Sequence, residues 1–134
     1  MLTVQKEVAE RVVARPPNMN LLAASVQFWA EPKIIASIPR TAFSPPPEVD
    51  SAVLLLVPRT SEVSKDKGSS RLHSRYYELV RALFKHPRKT IRNNIVKSEP
   101  AIPEKVLTKA GINPDDRPQN LSRDDILELA KQTL

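Results

Sequence analysis

In the stretch Phe43-Ser44-Pro45-Pro46-Pro47-Glu48-Val49-Asp50-Ser51-Ala52-Val53, three consecutive prolines are followed, after a short polar segment, by the start of an apolar run. Proline fixes φ and has no N–H to donate, so these residues form an extended connection outside any central strand. The segments on either side of it, residues 33–38 and 52–57, are apolar over the length of a strand and predict two buried strands. The stretch therefore places this part of the chain in a sheet.

The residues before this stretch add one strand and two helices. Residues 1–5 predict a short apolar strand, which we expect to be parallel to its neighbours. Apolar residues recur at helical spacing in residues 6–14, where Pro16-Pro17 end the helix, and again in residues 20–30. The order strand, helix, helix, strand, loop, strand is typical of the last part of an α/β sheet. A parallel strand needs neighbours on both sides, so we expect an incomplete sheet with an exposed edge at residues 1–5.

The pattern changes at residues 61–70, a polar run that predicts a linker. After it the chain is helical, beginning with an apolar stripe at spacings of three and four formed by Tyr76, Leu79, Val80, Leu83 and Phe84. Pro87 should end that helix, and residues 89–96 predict the next one.

Residues typical of helix ends predict two further helices. Pro103 suits a first helical turn, and Gly111 followed by Ile112 predicts a left-handed cap just after Ala110. Ser122 with Asp125 forms a capping box that opens a last helix. The chain is thus predicted to be an α+β fragment, with sheet elements in residues 1–60, a linker in 61–70 and a small helical bundle in 71–134.

Composition excludes several classes of function. The 134 residues contain no cysteine and two histidines, which argues against a metal site. The two glycines, Gly68 and Gly111, form no glycine-rich turn, so we expect no cofactor to bind to this chain alone. No run approaches the roughly 18 apolar residues of a membrane span, and residues 1–7 do not resemble a secretory signal. We therefore expect a cytoplasmic protein.

Positive charge is concentrated in one segment. Between Arg71 and Glu99 there are eight basic residues and two acidic ones, an excess equal to the net charge of +6 of the whole chain. Such a surface favours a polyanionic partner, and a solvated helix face without a partner is the alternative. The candidate RNA-binding residues are Arg71, Arg75, Arg81, Lys85, Arg88, Lys89, Arg92 and Lys97.

Phe43 has three possible roles. At the start of a stiff loop it can be a stacking platform for a base, because enzymes that modify bases hold the extruded base against an aromatic or apolar surface. It can instead be a core residue beside a rigid strand connection. The three prolines can also be a ligand for an aromatic groove of another protein.

Four motifs of this sequence, in the same order, resemble the dimethyladenosine transferases that modify small-subunit ribosomal RNA, the kasugamycin-sensitivity enzymes. The first and second are residues 2–11, Leu-Thr-Val-Gln-Lys-Glu-Val-Ala-Glu-Arg, and residues 43–53 quoted above. The third is residues 83–94, Leu-Phe-Lys-His-Pro-Arg-Lys-Thr-Ile-Arg-Asn-Asn, and the fourth comprises residues 111–114 with 117–122. Together they are spread over nearly the whole chain, from residue 2 to residue 122.

The resemblance implies the end of a Rossmann-like methyltransferase sheet followed by a helical domain. It also implies methyl transfer from S-adenosylmethionine to the exocyclic amines of two adjacent adenines. Phe43 would pack against the target adenine, Pro45, Pro46 and Pro47 would shape its pocket, and Arg88, Lys89 and Arg92 would contact phosphates. The family's glycine-rich cofactor loop and Asn-Leu-Pro-Tyr-type catalytic motif are absent, so we expect this chain alone to be inactive.

The partner expected from this resemblance is small-subunit ribosomal RNA or the 30S-type subunit. A stand-alone RNA-binding or ribosome-binding module without catalysis is the alternative. An anionic membrane is a weaker one, because the apolar stripe of the basic helix is needed for the core of the bundle. A homodimer through the sheet edge at residues 1–5 is also expected, since exposed edges tend to pair with another chain.

Overall fold

The computed structural model describes residues 1–59, 67–96 and 102–134. The elements of the first part are β1 (Leu2–Gln5), α1 (Lys6–Val12), α2 (Leu21–Trp29), β2 (Ala30–Ile38) and β3 (Ser51–Pro58). Those of the second part are α3 (Lys67–Leu83), a π-helical turn (Arg92–Val96), α4 (Glu104–Lys109) and α5 (Arg123–Gln132). The α+β fold class is therefore confirmed.

The three strands form an antiparallel sheet in the order β1-β3-β2. β3 lies between the other two strands, with Val4 opposite Ala52 and Ile34 opposite Leu54. The prediction that the first strand pairs in parallel was wrong for the described residues, because β3 returns antiparallel beside β1. β1 is an edge strand there, and Leu2 is 51% exposed.

Helices α1 and α2 cover one face of the sheet. Ala9 and Val12 of α1 pack with Ala52 and Leu54 of β3 in a small apolar cluster. The prediction of two buried strands was wrong for β2, most of whose residues are exposed, including Ile35 at 50%, and in β3 only Ala52 and Leu54 are buried. The described residues place helices on only one face, so the apolar run of β2 is not covered on both sides.

The larger core joins α2 to the helices of the second part. It includes Ala24 and Phe28 of α2 together with Tyr76, Leu79 and other apolar residues of the helical segment. The Tyr76 hydroxyl donates a hydrogen bond of 2.6 Å to the Ala24 carbonyl, and the Tyr77 hydroxyl donates one of 2.6 Å to the Ser25 carbonyl. α2 therefore lies between the sheet and the helical bundle, with a buried face toward each.

Burial in this core affects the titration of both tyrosines. Desolvation raises the pKa of Tyr76 well above its ordinary value of 10.0, although nearby Arg123 acts in the opposite direction. Desolvation also raises the pKa of Tyr77. Both hydroxyls are thus held in their neutral, hydrogen-bonding form.

Two helix ends follow the local signals of the sequence. Gly111 has φ of +77°, and the N–H groups of Gly111 and Ile112 donate to the carbonyls of Thr108 and Leu107, as in a Schellman cap. At α5, Ser122 and Asp125 form both hydrogen bonds of the capping box. Both predicted caps are confirmed.

Two predicted boundaries differ from the structure. α3 begins at Lys67, so residues 67–70 are helical and not part of the linker, while residues 61–66 lie outside the described residues. The helix predicted over 89–96 is a turn followed by the π-helical turn. The reason is tertiary: the N–H groups of Ile91 and Arg92 donate to the carbonyls of Asp116 and Pro114 in another loop.

Candidate nucleic-acid interface

The proline loop lies at the ends of β1 and β2. A short 3-10 turn, Arg40–Ala42, leads to Phe43, and the loop returns to β3 through Asp50. The Asp50 side chain accepts a hydrogen bond of 2.8 Å from the Arg40 N–H, and its carbonyl accepts one of 2.9 Å from the Lys6 N–H. Asp50 therefore closes the loop on itself and ties it to the junction of β1 and α1.

The exposed side of this loop carries Phe43. This side chain is 40% exposed and belongs to neither apolar cluster, so the alternative that Phe43 is a core residue was wrong. Pro45 and Pro46 are exposed beside it, and Pro47 is half-buried. An aromatic ring on a tethered loop can stack on a planar ligand at little cost in conformational entropy.

Four of the predicted cationic residues form what we call the basic surface: Arg81, Lys85, Arg88 and Lys89. All four are exposed, and within the described residues no carboxylate lies at ion-pair distance from any of them. Arg81 lies in the last turn of α3, and Lys85 follows in the turn just after that helix. The positive charge of this surface is therefore available to an external anion.

The turn that carries Arg88 and Lys89 is held by a buried side chain, Asn94, which is 4% exposed. Its Oδ1 accepts from the His86 N–H at 3.1 Å. Its Nδ2 donates to the carbonyls of His86 at 3.0 Å, Lys89 at 3.3 Å and Thr90 at 3.0 Å. Asn94 thus fixes the backbone on both sides of the two cations, a role that its sequence context did not reveal.

Arg92 differs from the residues of the basic surface because it forms ion pairs within the protein. Its guanidinium donates to Glu104 and, at 3.1 Å, to Asp115. Hydrogen bonds to Glu104 and then Asp115 raise the pKa of Arg92 above its ordinary value. Its positive charge is therefore matched by two carboxylates within the protein.

The remaining predicted cations lie elsewhere or are not described. Arg71 is exposed near the start of α3, and Arg75 donates to Thr133 at 2.8 Å and to Glu78 at 3.2 Å. Along α3, Arg71 is about 15 Å from Arg81 at 1.5 Å per residue, so the two do not belong to one local cluster. Lys97 lies outside the described residues.

Arg117 lies beside the basic surface and was not among the predicted residues. It is exposed, and the preceding Asp116 carbonyl accepts a hydrogen bond of 2.7 Å from the Ile91 N–H. That bond places the Arg117 backbone next to the turn that carries Lys89. Only a tertiary contact reveals this proximity, although Arg117-Pro118 belongs to a motif that was noticed in the sequence.

The two glycines do not fit the kind of turn that holds an adenosyl cofactor. Such a cofactor is held by a glycine-rich turn between a strand and a helix. Gly68 lies in the first turn of α3 and Gly111 at the end of α4, so neither glycine follows a strand. In the described residues, no three His, Asp or Glu side chains are gathered so as to hold a metal ion, and no helix is long and apolar enough to cross a membrane.

This chain resembles a known protein family and individual proteins of that kind. Residues 1–133 match the model of a family described as ribosomal RNA adenine dimethylase. Ribosomal RNA small subunit methyltransferase A of Dehalococcoides mccartyi strain CBDB1 is 38% identical over 130 residues, which are 93% of this chain and 43% of that protein. The same-named protein of Geobacillus kaustophilus is 37% identical over 140 residues, 97% of this chain and 45% of that protein. The chain thus spans less than half the length of these curated relatives.

Solved structures show the same fold. A dimethyladenosine transferase from Plasmodium falciparum superposes with a TM-score of 0.68 at 24% identity, over 96% of this chain and 55% of that one. The 23S rRNA methyltransferase ErmE superposes with a TM-score of 0.70 at 20% identity, over 97% of this chain and 52% of that one. The family model and the curated relatives confirm the four-motif resemblance at the level of the family.

Proposed function

The chain belongs to the ribosomal RNA adenine dimethylase family, and on that premise we propose that it is the C-terminal part of an S-adenosylmethionine-dependent rRNA adenine N6-dimethyltransferase. The substrate in this proposal is a pair of adjacent adenines in small-subunit ribosomal RNA, and the three strands are the last ones of a Rossmann-like sheet. The observation that carries the proposal is the family match over residues 1–133, combined with relatives named as small subunit methyltransferases.

The contribution of the basic surface is to hold the RNA backbone. Arg81, Lys85, Arg88 and Lys89 are exposed and lack a described carboxylate partner, so they can replace the counterions of phosphates. Contacts of this kind position the protein on the RNA without reading its sequence. Arg92 supports the surface by pairing with Glu104 and is not itself a phosphate ligand in this proposal.

The contribution of the proline loop is to hold the target base. Phe43 offers an exposed ring at the carboxyl ends of β1 and β2, which is the side of an α/β sheet where ligands bind. Stacking of one base on such a ring is worth about 1–3 kcal/mol. Pro45 to Pro47 and the bonds of Asp50 keep the ring in place before the base arrives.

The methyl donor is held by a part of the longer enzyme that this chain does not cover. S-adenosylmethionine supplies the electrophilic methyl group, and the residues described here do not fit it because neither glycine follows a strand. The unpaired edge of β1 is where that part would add its neighbouring strand. In isolation, the same edge should pair with a second copy, and sedimentation showing a strict monomer would contradict that dimer.

The proposal is tested by RNA binding and by methyl transfer. We expect the chain to bind a small-subunit RNA hairpin in fluorescence anisotropy, with affinity that falls steeply between about 50 and 200 mM salt. Replacing Lys85, Arg88 and Lys89 by Gln should reduce the slope of log affinity against log salt by about 3, or about 1 per phosphate contact. The matched control is Gln at three exposed lysines of α4 and α5, namely Lys105, Lys109 and Lys131.

Methyl transfer distinguishes the enzyme fragment from a stand-alone module. The chain with labelled S-adenosylmethionine should transfer no methyl group to unmethylated small subunits. Adding the complementary N-terminal part of the Dehalococcoides mccartyi relative should restore transfer, and Phe43→Ala should then lower it, with a loss of RNA affinity no larger than the stacking energy of one base. Absence of RNA binding by the chain, or equal binding by the triple and control variants, would contradict the proposed role.

A further inference from the structure

A second cationic site lies apart from the basic surface, in a cleft where the end of α1, the end of α2, the end of β3 and the start of α5 meet. The cleft has a volume of about 210 Å³, and its lining includes Arg15, Gln27, Arg59, Arg123 and Asp124. It can therefore admit a phosphate group with part of its hydration.

Arg15 is held at the cleft by a buried amide. Gln27 is fully buried, and its Nε2 donates to the carbonyls of Val12 at 3.0 Å and Ala14 at 2.9 Å. Both donors of this amide are therefore used on one side, which leaves Oε1 to accept from Arg15 Nη1 at 2.6 Å. The amide cannot flip without losing all three bonds, so the position of the Arg15 guanidinium is fixed from the core.

Arg59 and Arg123 are held by the last carbonyls of α2. Arg59 Nε donates to the Gln27 carbonyl at 2.9 Å, and Arg123 Nη2 donates to the Phe28 carbonyl at 3.1 Å. Arg123 is 5% exposed and also bonds Asp124 at 3.0 Å. These bonds satisfy the end of a helix, and at the same time they bring two more guanidinium groups to the same cleft as Arg15.

Among the described residues that line this cleft, Asp124 is the one carboxylate, and it is bonded to Arg123. In the described part of the chain, neither Arg15 nor Arg59 has a carboxylate at ion-pair distance. Each uses one of its five N–H donors on a described neutral acceptor, so most donors of both groups remain for a ligand. Paired guanidinium groups with open donors suit the oxygens of a phosphate.

We propose that the cleft formed by Arg15, Arg59 and Arg123 binds a backbone phosphate of RNA, as a site separate from the basic surface. This inference rests on the proposed function, which supplies RNA as the polyanion. The chain itself connects the two sites, because residues 117–123 run from Arg117, beside the turn of Lys89, to Arg123 in the cleft. One RNA strand that follows this segment contacts both sites, and Gln27 is a positioning residue for the second.

The experiment measures RNA affinity and the arginine signals of the full 134-residue chain. We expect Arg15→Gln/Arg59→Gln to weaken binding of a fluorescent RNA hairpin severalfold and to lower the salt slope by about 2. The control with the same charge change, Lys105→Gln/Lys131→Gln, should leave both unchanged. If the double variant does not fold, Arg15→Gln alone can be used, because Arg15 is exposed. This single variant should lower the salt slope by about 1.

NMR distinguishes RNA from free inorganic phosphate as the ligand of the cleft. On titration with the RNA hairpin, we expect the Nε–Hε signals of Arg15, Arg59 and Arg123 to shift together. Shifts with inorganic phosphate alone, without RNA shifts, would overturn the assignment to RNA. The wild-type chain could bind RNA, and the Lys85, Arg88 and Lys89 variant could lose that binding while Arg15→Gln/Arg59→Gln keeps it. That result would overturn the proposal for the cleft and leave the proposed function standing. No binding of RNA by the wild-type chain would overturn both.

Discussion

Asn94 offers the sharpest test of how the basic surface is built. This buried side chain joins the carbonyls of His86, Lys89 and Thr90 and the N–H of His86. Asn94→Ala removes all of these bonds while leaving every cation of the basic surface in the sequence. The variant therefore separates the position of the cations from their charge.

The expected loss of stability follows from the number of independent hydrogen bonds that Asn94 makes. The Asn94 amide has two protons for three carbonyls, so one bond is shared, and together with Oδ1 it makes about three full hydrogen bonds at about 1 kcal/mol each. His86 and Lys89 are exposed, so water can reach part of the vacated backbone. We expect Asn94→Ala to lower the free energy of unfolding by about 2 kcal/mol.

A second variant tests the orientation of the amide. Asn94→Asp has nearly the same shape, but it places an acceptor-only carboxylate against three carbonyl oxygens. We expect it to be less stable than Asn94→Ala at neutral pH, and to recover stability in acid as the carboxyl group gains a proton that it can donate. Recovery should be visible as the pH falls through the raised pKa of this carboxyl.

The assay is urea unfolding followed by circular dichroism, combined with RNA anisotropy under conditions where each variant is folded. The matched control is Asn93→Ala at the exposed neighbouring asparagine, for which we expect a change within about 0.5 kcal/mol. The folded Asn94→Ala protein should bind RNA more weakly than the Asn93→Ala protein. The reasoning is refuted if the two alanine variants are equally stable, or if Asn94→Asp is no worse than Asn94→Ala.

Three other predictions concern separate parts of the chain. Arg92→Gln should lower RNA affinity much less than Arg88→Gln in the anisotropy assay, because Arg92 is paired within the protein; equal losses would show that its ion pairs open on RNA binding. Gly111→Ala should cost about 1 kcal/mol in urea unfolding, since φ is +77° while the added Cβ meets no atom within 4 Å; an unchanged stability would refute the left-handed cap. The raised pKa of Tyr76 predicts that stability is fully present below about pH 10 and declines as pH rises further, because the unfolded state ionises first; Tyr76→Phe should flatten this decline.

Local chemistry made the helix ends predictable. Ser122 with Asp125 and Gly111 with Ile112 satisfy backbone groups only a few residues away, so short stretches of sequence contain all the information required. The apolar stripe of α3 was predictable for the same reason. The exposed proline loop could be placed between two strands, although the core alternative for Phe43 was excluded only by its 40% exposure.

Long-range pairing made the rest of the interface unpredictable. The two carboxylates that pair with Arg92, at Glu104 and Asp115, follow it along the chain at no helical spacing. The exposed edge of β2 and the antiparallel placement of β3 beside β1 depend on how segments meet in space. Charge counting located the basic segment, but it could not show that Arg92 pairs with Glu104 and Asp115 while Arg88 and Lys89 have no described carboxylate partner.

The amino-acid sequence by itself determined the family, the α+β class, the positions of the helix caps and the concentration of positive charge after residue 70. These features rest on residue identity and on spacings within one or two turns of the backbone. Tertiary structure alone decided which cations stay free, how Asn94 shapes their turn, and that Arg15, Arg59 and Arg123 share one cleft around Gln27. The physical reason is that hydrogen bonds and charge pairing depend on distances in space, and packing brings together residues such as Phe28 and Arg123 that are far apart in the chain.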